Sequence, residues 1–476
     1  MSTKTTPRLA PGGLGRGLFA STDIAVGESV LDIPIPFVAV LDTQRLEDTC
    51  SGCFGQKQLE NEEISLKACT GCQVVKYCDK TCQAKDWKFA HALECSIFQQ
   101  LKPRVLPINA RAVLRMVLRS GRRKYSSEEL DHFLQLETHI KDIRDQNAPQ
   151  WERISLSSKA VKTYSGTDMS EEVISAFGAK LELNSFNLTN ALYDRIGVYL
   201  HPYAALINHS CTYNSVASFD GPNLHIKALR PIPKDSQIFI SYIDPTNPYP
   251  RRQSDLQDRY YFTCHCSKCE KEATTSSSLT PAQQKAYDIL SFTSDLPPTE
   301  ATQSLLSAIT LLQTSGEQIT TQPSISLRDE LIATLLTSGK FKSAFAHAAA
   351  RHLRIDPVVY PSETHPIRQV HAWTLAKLAI HLSQGIEQHE TTTPEEEIAL
   401  EQFEVNFSLI VWSVLGMLVG AEEKGGTGPG FKRLVRRAFG EVNGEFLAGG
   451  LDPRRLGEGV KAEWGKVDRL VDVVVG

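Results

Sequence analysis

Ten of the eleven cysteines in this 476-residue chain fall into two short segments. The first segment, residues 50–95, reads C-x2-C, C-x2-C, C-x3-C and H-x3-C in order. An x2 spacing lets one backbone turn present two sulfur atoms to one ion, and an x3 spacing does so from one helical turn because residues i and i+4 share a face. The eight candidate ligands are Cys50, Cys53, Cys69, Cys72, Cys78, Cys82, His91 and Cys95. Eight is the number that two tetrahedral zinc ions need.

The alternative to metal binding is that these cysteines only fill the core, since a single cysteine is usually a small buried hydrophobic residue. Four ligand pairs at metal spacing favour zinc instead. Residues 50–95 also contain few large aliphatic side chains, so we expect metal binding and folding to be one event there. The start, "MSTKTTPRLAPGG", has no apolar run typical of a secretory signal, so we expect a reducing compartment and no disulfides.

The second cysteine segment, "FTCHCSKC", supplies three thiols in the pattern C-x-C-x2-C: Cys264, Cys266 and Cys269. A closed structural zinc site needs a fourth ligand. His265 is one candidate, although its position between two ligands would tend to direct its side chain away. Cys211, the one remaining cysteine, is the other candidate and the favoured one. With Cys211 included, the chain is expected to bind three zinc ions.

Cys211 ends the stretch "LINHSC", in which His209 stands two residues away. A neighbouring histidine and cysteine are also found in thiol hydrolases, where the histidine activates the thiolate. Assigning Cys211 to zinc argues against that role. A zinc ion shared by Cys211 and residues 264–269 would bring the aromatic residues of "DRYYF" (258–262) next to Asn208 and His209.

Five short motifs surround the cysteine-rich segment in a fixed order. They are "GLGRGLFA" (13–20), "NSF" (184–186), "NHSC" (208–211), "FISYID" (239–244) and "YYFTCHCSKC" (260–269). Together with the "AHALEC" end of the first cysteine segment, they resemble the SMYD family of SET-domain protein lysine methyltransferases, which carry an inserted MYND zinc finger.

The resemblance implies that the ligand pairs of the finger interleave. One zinc ion would then be held by Cys50, Cys53, Cys78 and Cys82, and the other by Cys69, Cys72, His91 and Cys95.

The resemblance also implies S-adenosylmethionine as methyl donor and a protein lysine as acceptor. The implied cofactor-binding residues are Gly15, Arg16, Gly17, Glu137, His139, Asn184, Ser185, Asn208, His209, Tyr242 and Phe262. Phe262 is expected to stack on adenine, and Tyr242 is the expected catalytic residue. Phe186, Tyr242 and Tyr260 would form an aromatic lysine channel, where cation–π contacts suit ammonium and methylammonium groups.

Two positions depart from the family pattern. Tyr213 replaces the usual proline after "NHSCx", and the turn usually written KGEE reads "KDSQ", ending at Gln237. These departures favour, weakly, an alternative function as a catalytically inactive adaptor built from a zinc finger and helical repeats.

The chain is predicted to be an α+β multidomain protein with a SET β-fold, an inserted MYND finger, a post-SET zinc site and an all-α, TPR-like C-terminal domain. The predicted boundaries are 1–49 and 181–243 for the SET halves, 50–95 for the finger, 96–180 for a helical insert, 244–272 for the post-SET region and 280–476 for the C-terminal domain. Residues 270–284 are expected to be a linker.

Within the C-terminal domain, residues 327–353 predict two antiparallel helices around Gly339. Thr393-Pro394-Glu395-Glu396 is typical of a helix start. Residues 407–420 are apolar but short for a membrane span, so they predict a buried helix. Residues 431–439 predict an amphipathic helix.

A net charge of −4 carries no overall nucleic-acid signature. Nucleic-acid binding stays uncertain, because the finger lysines suit either nucleic acid or a solvated face, which is favoured. These lysines are Lys67, Lys76, Lys80, Lys85 and Lys88. The resemblance implies proline-rich peptides as partners of the finger. We further expect a monomer without membrane contact, in the cytoplasm, the nucleus or both.

Overall fold

A computed structural model describes residues 1–61, 63–274, 278–385 and 402–475 of the chain. They form two compact units. The first unit comprises Met1–Ile243, Gln253–Lys268 and Gly428–Phe431, and the second comprises Asp244–Arg252, Cys269–Thr427 and Lys432–Gly476. Within the described part of the chain, no helix is both long enough and apolar enough to span a membrane.

Short strands build the core of the first unit. They are β1 (Ser2–Thr3), β2 (Thr5–Leu9), β3 (Arg16–Ala20), β4 (Ser29–Ile33), β5 (Val38–Leu41), β6 (Lys67–Ala68), β7 (Lys76–Tyr77), β8 (Phe186–Thr189), β9 (Arg195–Leu200), β10 (Asn208–His209), β11 (Ser215–Asp220), β12 (Asn223–Ala228) and β13 (Phe239–Ile240). The largest sheet has the order β1-β4-β12-β11, and a second has the order β5-β9-β8. The pairs β2–β3 and β6–β7 are antiparallel, whereas β10 and β13 are parallel.

The sequence pattern explains which faces these strands bury. In β12, Leu224, Ile226 and Ala228 are buried, and the polar residues between them are half-buried, as expected for a strand with one face on the core. All four residues of β5 are buried, because this strand also packs against helix α4 (Ile108–Gly121).

The first unit also contains helices, which lie in the finger and in the helical insert. They are α1 (Gln56–Glu60), α2 (Lys80–Asp86), α3 (Ala92–Leu101), α4 (Ile108–Gly121), α5 (Ser127–Leu134), α6 (Ile140–Gln146), α7 (Ala148–Ser165) and α8 (Glu171–Asn184). A π-helical turn, Trp87–His91, joins α2 to α3. A capping box formed by Ser126 and Glu129 starts α5.

The structure confirms that residues 96–180 are mainly helical. The expected return to strands at residue 181 comes later, since α8 continues to Asn184. The helix ends where Ser185 adopts extended dihedral angles, and β8 begins at Phe186.

The remaining helices run from the second cysteine segment to the end of the described chain. They are α9 (Tyr249–Tyr260), α10 (Ser267–Ala273), α11 (Pro281–Phe292), α12 (Pro298–Thr314), α13 (Ser324–Thr337), α14 (Phe341–Ala350), α15 (Asp356–Val359), α16 (Pro366–Ser383), α17 (Phe407–Gly420), α18 (Pro429–Ala448) and α19 (Gly457–Val475). Consecutive helices such as α12, α13 and α14 pack against one another, as the α+β prediction with a helical C-terminal domain requires.

Most expectations for the helical region can be compared with this structure. Gly339, with φ of 72°, separates α13 from α14 and confirms the predicted helix pair. The apolar residues 407–420 form α17, in which Ile410, Val414 and Leu415 are buried. The predicted helix start at residues 393–396 and residues 275–277 of the predicted linker lie outside the described residues.

Candidate active site

The cysteine-rich finger brings its eight candidate ligands into two groups of four. The first group is Cys50, Cys53, Cys78 and Cys82, and the second is Cys69, Cys72, His91 and Cys95. In each group all four ligand atoms lie within 4.8 Å of one another. The interleaved pairing implied by the family resemblance is therefore the pairing that the fold adopts.

The spacing of the sulfur atoms in both groups fits zinc. Zinc–sulfur bonds of about 2.3 Å at tetrahedral angles place two sulfur atoms about 3.8 Å apart. The Sγ atoms of Cys53 and Cys78 are 3.8 Å apart, as are those of Cys69 and Cys95. His91 completes the second group with Nε2 at 3.4 Å from the Cys69 sulfur.

A third group joins Cys211 to the second cysteine segment. Its members are Cys211, Cys264, Cys266 and Cys269, again with all ligand atoms within 4.8 Å. His265, the alternative fourth ligand, is exposed and does not belong to this group. The fully buried Arg252 donates a hydrogen bond from Nη2 to Cys269 Sγ at 3.5 Å. A guanidinium cation at this position suits a site that would hold four thiolates around one zinc ion.

Close packing makes the acidity of the clustered thiols unequal. A hydrogen bond from the Cys53 thiol lowers the pKa of Cys50, whereas the same bond and burial raise the pKa of Cys53. A hydrogen bond from the Cys211 thiol lowers the pKa of Cys264. Because the thiolate is the form that binds a metal ion, Cys50 and Cys264 are the more readily ionised ligands of their groups.

His209 connects the third cysteine group to Tyr242. Strand β10 pairs in parallel with β13, with His209 opposite Ile240. The Tyr242 N–H donates to His209 Nδ1 at 3.0 Å, and His209 Nε2 lies 3.4 Å from Cys211 Sγ. His209 therefore contacts both a candidate zinc ligand and the backbone of the expected catalytic tyrosine.

The "GLGRG" turn is held against the same strand by Asn208. Its Nδ2 donates to the backbone oxygens of Leu14 and Arg16 at 3.4 and 3.3 Å. Gly15 has φ of 69°, a conformation that glycine adopts without strain. A Cβ atom at Gly17 would lie 2.4 Å from Gln237 Nε2 and 2.9 Å from Asn208 Nδ2, so both side chains would have to move to admit a larger residue.

A cavity of about 590 Å³ opens between these segments. Eleven of the predicted cofactor and channel residues line it: Gly15, Arg16, Glu137, His139, Asn184, Ser185, Phe186, Asn208, Tyr242, Tyr260 and Phe262. The structure places Gly17 and His209 beside the cavity, where they hold its walls together. Their direct contact with a cofactor stays a prediction.

Three aromatic rings meet at one end of the cavity. The ring centroids of Tyr242 and Tyr260 are 5.0 Å apart, and that of Phe262 lies 6.5 Å from each. The Tyr260 hydroxyl donates to the Tyr242 backbone oxygen at 3.4 Å. Such a cluster offers ring faces to a cation or to a flat ligand.

The Tyr242 side chain is half-buried and is directed by a hydrogen bond from its hydroxyl. Its hydroxyl donates to the Ile207 backbone oxygen at 2.5 Å. Burial raises the pKa of Tyr242 above its ordinary value, and the nearby Tyr260 adds to this effect. The phenol is therefore protonated at neutral pH, with its oxygen fixed at the aromatic end of the cavity.

Sequence reasoning missed about half of the cavity wall. The missed lining residues include Leu9, Leu14, Gln135, Leu183, Ile207, Ile240 and Arg259. Ile207 and Ile240 adjoin the "NHSC" and "SY" motifs, so their proximity was a usable signal. Leu9 and Gln135 carry no motif, and only the folded chain brings them to the cavity.

The two departures from the family pattern leave the turn after Cys211 well supported. Asn214 Nδ2 donates to the Gln237 backbone oxygen at 2.8 Å, and Asn214 Oδ1 accepts from the Phe239 N–H at 2.8 Å. These bonds hold the segment that contains Tyr213 against the strand that leads to Tyr242. The segment that lacks the proline is therefore held by side-chain bonds from Asn214 to the neighbouring backbone.

Comparison with known proteins agrees with this arrangement. A SET domain model matches residues 15–243. "SET domain and MYND-type zinc finger protein 6" of Schizosaccharomyces pombe is 31% identical over 262 residues, which are 55% of this chain and 51% of that protein. "Histone-lysine N-methyltransferase SMYD3" of Mus musculus is 26% identical over 383 residues, 77% of this chain and 86% of that protein.

This chain contains a SET domain and is similar to proteins of the SMYD family. "N-lysine methyltransferase SMYD2" of Gallus gallus is a further relative, 29% identical over 270 residues, which are 55% of this chain and 59% of that protein. The matches to the fission yeast and chicken proteins thus span little more than half of those proteins, whereas the match to mouse SMYD3 also extends into the helical region.

The SET domain match, the three cysteine groups and the helices of the C-terminal region confirm the predicted combination of a SET domain, zinc-binding clusters and a helical domain. The three cysteine groups are the zinc sites expected of such a chain. The order of the motifs, rather than any one of them, carried the prediction of the family.

Proposed function

We propose that this chain is an S-adenosylmethionine-dependent protein lysine N-methyltransferase. The observation that carries the proposal is the convergence of the "GLGRG" turn, Asn208 and the aromatic residues Tyr242, Tyr260 and Phe262 on one cavity. Its volume of about 590 Å³ lies within the roughly 300–1,000 Å³ typical of small-molecule sites.

The residues present suit the methyl donor. Gly15 lets the backbone approach a ligand closely, and Asn208 lies where its amide can face either the turn or a ligand. Phe262 offers an aromatic face for a base. S-adenosylmethionine supplies an electrophilic methyl group on a sulfonium sulfur. We assign its binding to the wall formed by Gly15, Asn208 and Phe262.

The remaining residues would prepare the lysine. The half-buried rings of Phe186, Tyr242 and Tyr260 would exclude water from the amine and favour its neutral form. The Tyr242 oxygen, fixed by its bond to Ile207, would orient the amine. The lysine nitrogen would then form its bond to the methyl carbon while the carbon–sulfur bond breaks, the electron pair staying on sulfur. Alignment and desolvation supply the rate enhancement, so no strong base is needed.

The two departures from the family pattern do not favour the alternative adaptor function. Asn214 holds the turn that lacks proline, and the cavity retains its aromatic end. A protein substrate follows from the lysine methyltransferase relatives. Proline-rich partners of the finger, nucleic-acid binding, the monomeric state and the division between nucleus and cytoplasm stay predictions.

Calorimetry on the zinc-loaded chain provides the direct test of the cofactor. We expect S-adenosylmethionine to bind at one site per chain, and Asn208→Ala to weaken that binding. A folded chain with three zinc ions that does not bind S-adenosylmethionine would contradict the proposed function and support the adaptor.

A further inference from the structure

Tyr261 stands between two cavity residues but has a different environment from both. Tyr260 and Phe262 line the cavity, whereas the Tyr261 ring packs against the apolar cluster of Ile143, Ile154, Ala179 and Leu183. The chain achieves this because Tyr261 adopts φ of 62°. A bulky residue rarely occupies this left-handed region, so its surroundings must hold it there.

The Tyr261 hydroxyl is held by a buried acceptor on α7. It donates to Gln150 Oε1 at 2.9 Å, and Gln150 is only 4% exposed. Gln150 is itself oriented, since its Nε2 donates to Glu182 Oε2 on α8 at 3.3 Å. The tyrosine is thus bonded to a side chain that two helices of the insert keep in place.

The Tyr261 ring has a second contact on the cavity side of the insert. It stacks on the His139 ring at a centroid distance of 5.4 Å and an interplanar angle of 22°. His139 also has a left-handed backbone, with φ of 43°, and its Nδ1 pairs with Asp142 at 2.9 Å. His139 lines the cavity, so the stack connects a cavity residue to the tyrosine.

We propose that Tyr261 is a positioning residue for methyl transfer. Its anchorage to Gln150 and His139 imposes the left-handed turn that directs Tyr260 and Phe262 into the cavity. One side chain therefore sets both the lysine channel and the wall assigned to the cofactor. The inference rests on the proposed function, because it concerns how that same cavity is shaped.

Three substitutions distinguish the effect of the Tyr261 side-chain contacts from the effect of its backbone conformation. Tyr261→Gly permits the left-handed turn but removes every side-chain contact. Tyr261→Phe keeps the ring stack and removes the hydroxyl, while Gln150→Met removes the acceptor from the other side. Tyr164→Phe is the matched control, since Tyr164 is a tyrosine on α7 that is 36% exposed.

The experiment uses the full chain loaded with zinc and measures S-adenosylmethionine Kd by calorimetry, together with kcat and KM on a lysine peptide. We expect Tyr261→Gly to lower kcat/KM by about 10-fold or more, because small misplacements of positioned groups are costly in rate. Tyr261→Phe and Gln150→Met should each cost about threefold, and the double variant should cost less than the product of the two, since both remove the Tyr261–Gln150 hydrogen bond. Tyr164→Phe should match the wild type.

Two results would overturn the inference. One is a Tyr261→Gly variant with wild-type Kd, kcat and KM. The other is a set of variants that melt at lower temperature but keep wild-type kinetics well below their melting points, since this would show a purely structural role. Failure of the proposed function looks different, because the wild-type chain itself would then neither bind S-adenosylmethionine nor transfer methyl groups.

Discussion

The finger groups and the third cysteine group share one ligand chemistry but differ in what their ligands connect. All eight finger ligands lie within residues 50–95, whereas the third group joins Cys211 to residues 264–269. The third group adjoins the cavity through His209, which contacts both Cys211 and Tyr242. We therefore expect zinc in the finger to stabilise a local fold and zinc in the third group to position the cavity.

The finger is also connected to the rest of the first unit by an ion pair. Arg115 on α4 donates to both oxygens of Glu94 at 2.7 and 2.8 Å and to the Ala39 backbone oxygen at 2.7 Å. Glu94 is 1% exposed and directly precedes the zinc ligand Cys95. Asp86 lies 3.8 Å from the same guanidinium and accepts from Tyr77.

The largest expected effect comes from breaking this ionic connection. Arg115→Met should lower the free energy of unfolding by about 3–5 kcal/mol, because a buried carboxylate is left without its partner. Chemical denaturation of the zinc-loaded chain measures the change. The double variant Arg115→Met with Glu94→Leu should recover much of the loss. If single and double variants were equally unstable, the ion pair would not be the connection.

Removal of a third-group ligand should have the next largest effect, and it should act on the cavity. Cys264→Ser is expected to leave two zinc ions per chain and to weaken S-adenosylmethionine binding by at least about 10-fold, since Tyr260 and Phe262 lose their support. Metal analysis and calorimetry on the same sample check both parts. Loss of zinc with unchanged affinity would show that this group does not position the cavity.

The smallest expected effect on S-adenosylmethionine affinity comes from the matched substitution in the finger. Cys53→Ser should also remove one zinc ion, but it should change S-adenosylmethionine affinity by no more than about twofold, because additive behaviour is expected for distant sites. Metal analysis and calorimetry on the same sample again measure the zinc content and the affinity. An equal loss of affinity for Cys53→Ser and Cys264→Ser would remove the distinction between the two kinds of site.

The sequence predicted the parts of this molecule that depend on ligand spacing and motif order. Cysteine spacing indicated three metal groups, and the family resemblance implied the interleaved pairing of the finger. Both were possible because a zinc site constrains residue type and local spacing together. The helix pair at Gly339 and the buried helix α17 followed from periodicity and glycine placement.

The features of the fold and the cavity that the sequence did not predict depend on contacts between residues far apart in the chain. Nothing local in "YYF" indicates that Tyr261 adopts a left-handed backbone or that Gln150 accepts its hydroxyl. Leu9 and Gln135 reach the cavity only through the pairing of β2 with β3 and the packing of the insert. The bonds that Asn214 makes to the backbone of Gln237 and Phe239 were likewise visible only in the folded chain.

The central claim is that the cavity transfers a methyl group from S-adenosylmethionine to a protein lysine. The most direct measurement is transfer of labelled methyl groups to a lysine peptide array by the wild-type chain and by Tyr242→Phe, each with three zinc ions bound. We predict labelled lysine with the wild type and a rate about 100-fold lower for the variant, because the variant loses the hydroxyl that orients the amine. No labelling by the wild type, or equal labelling by both proteins, would contradict the claim.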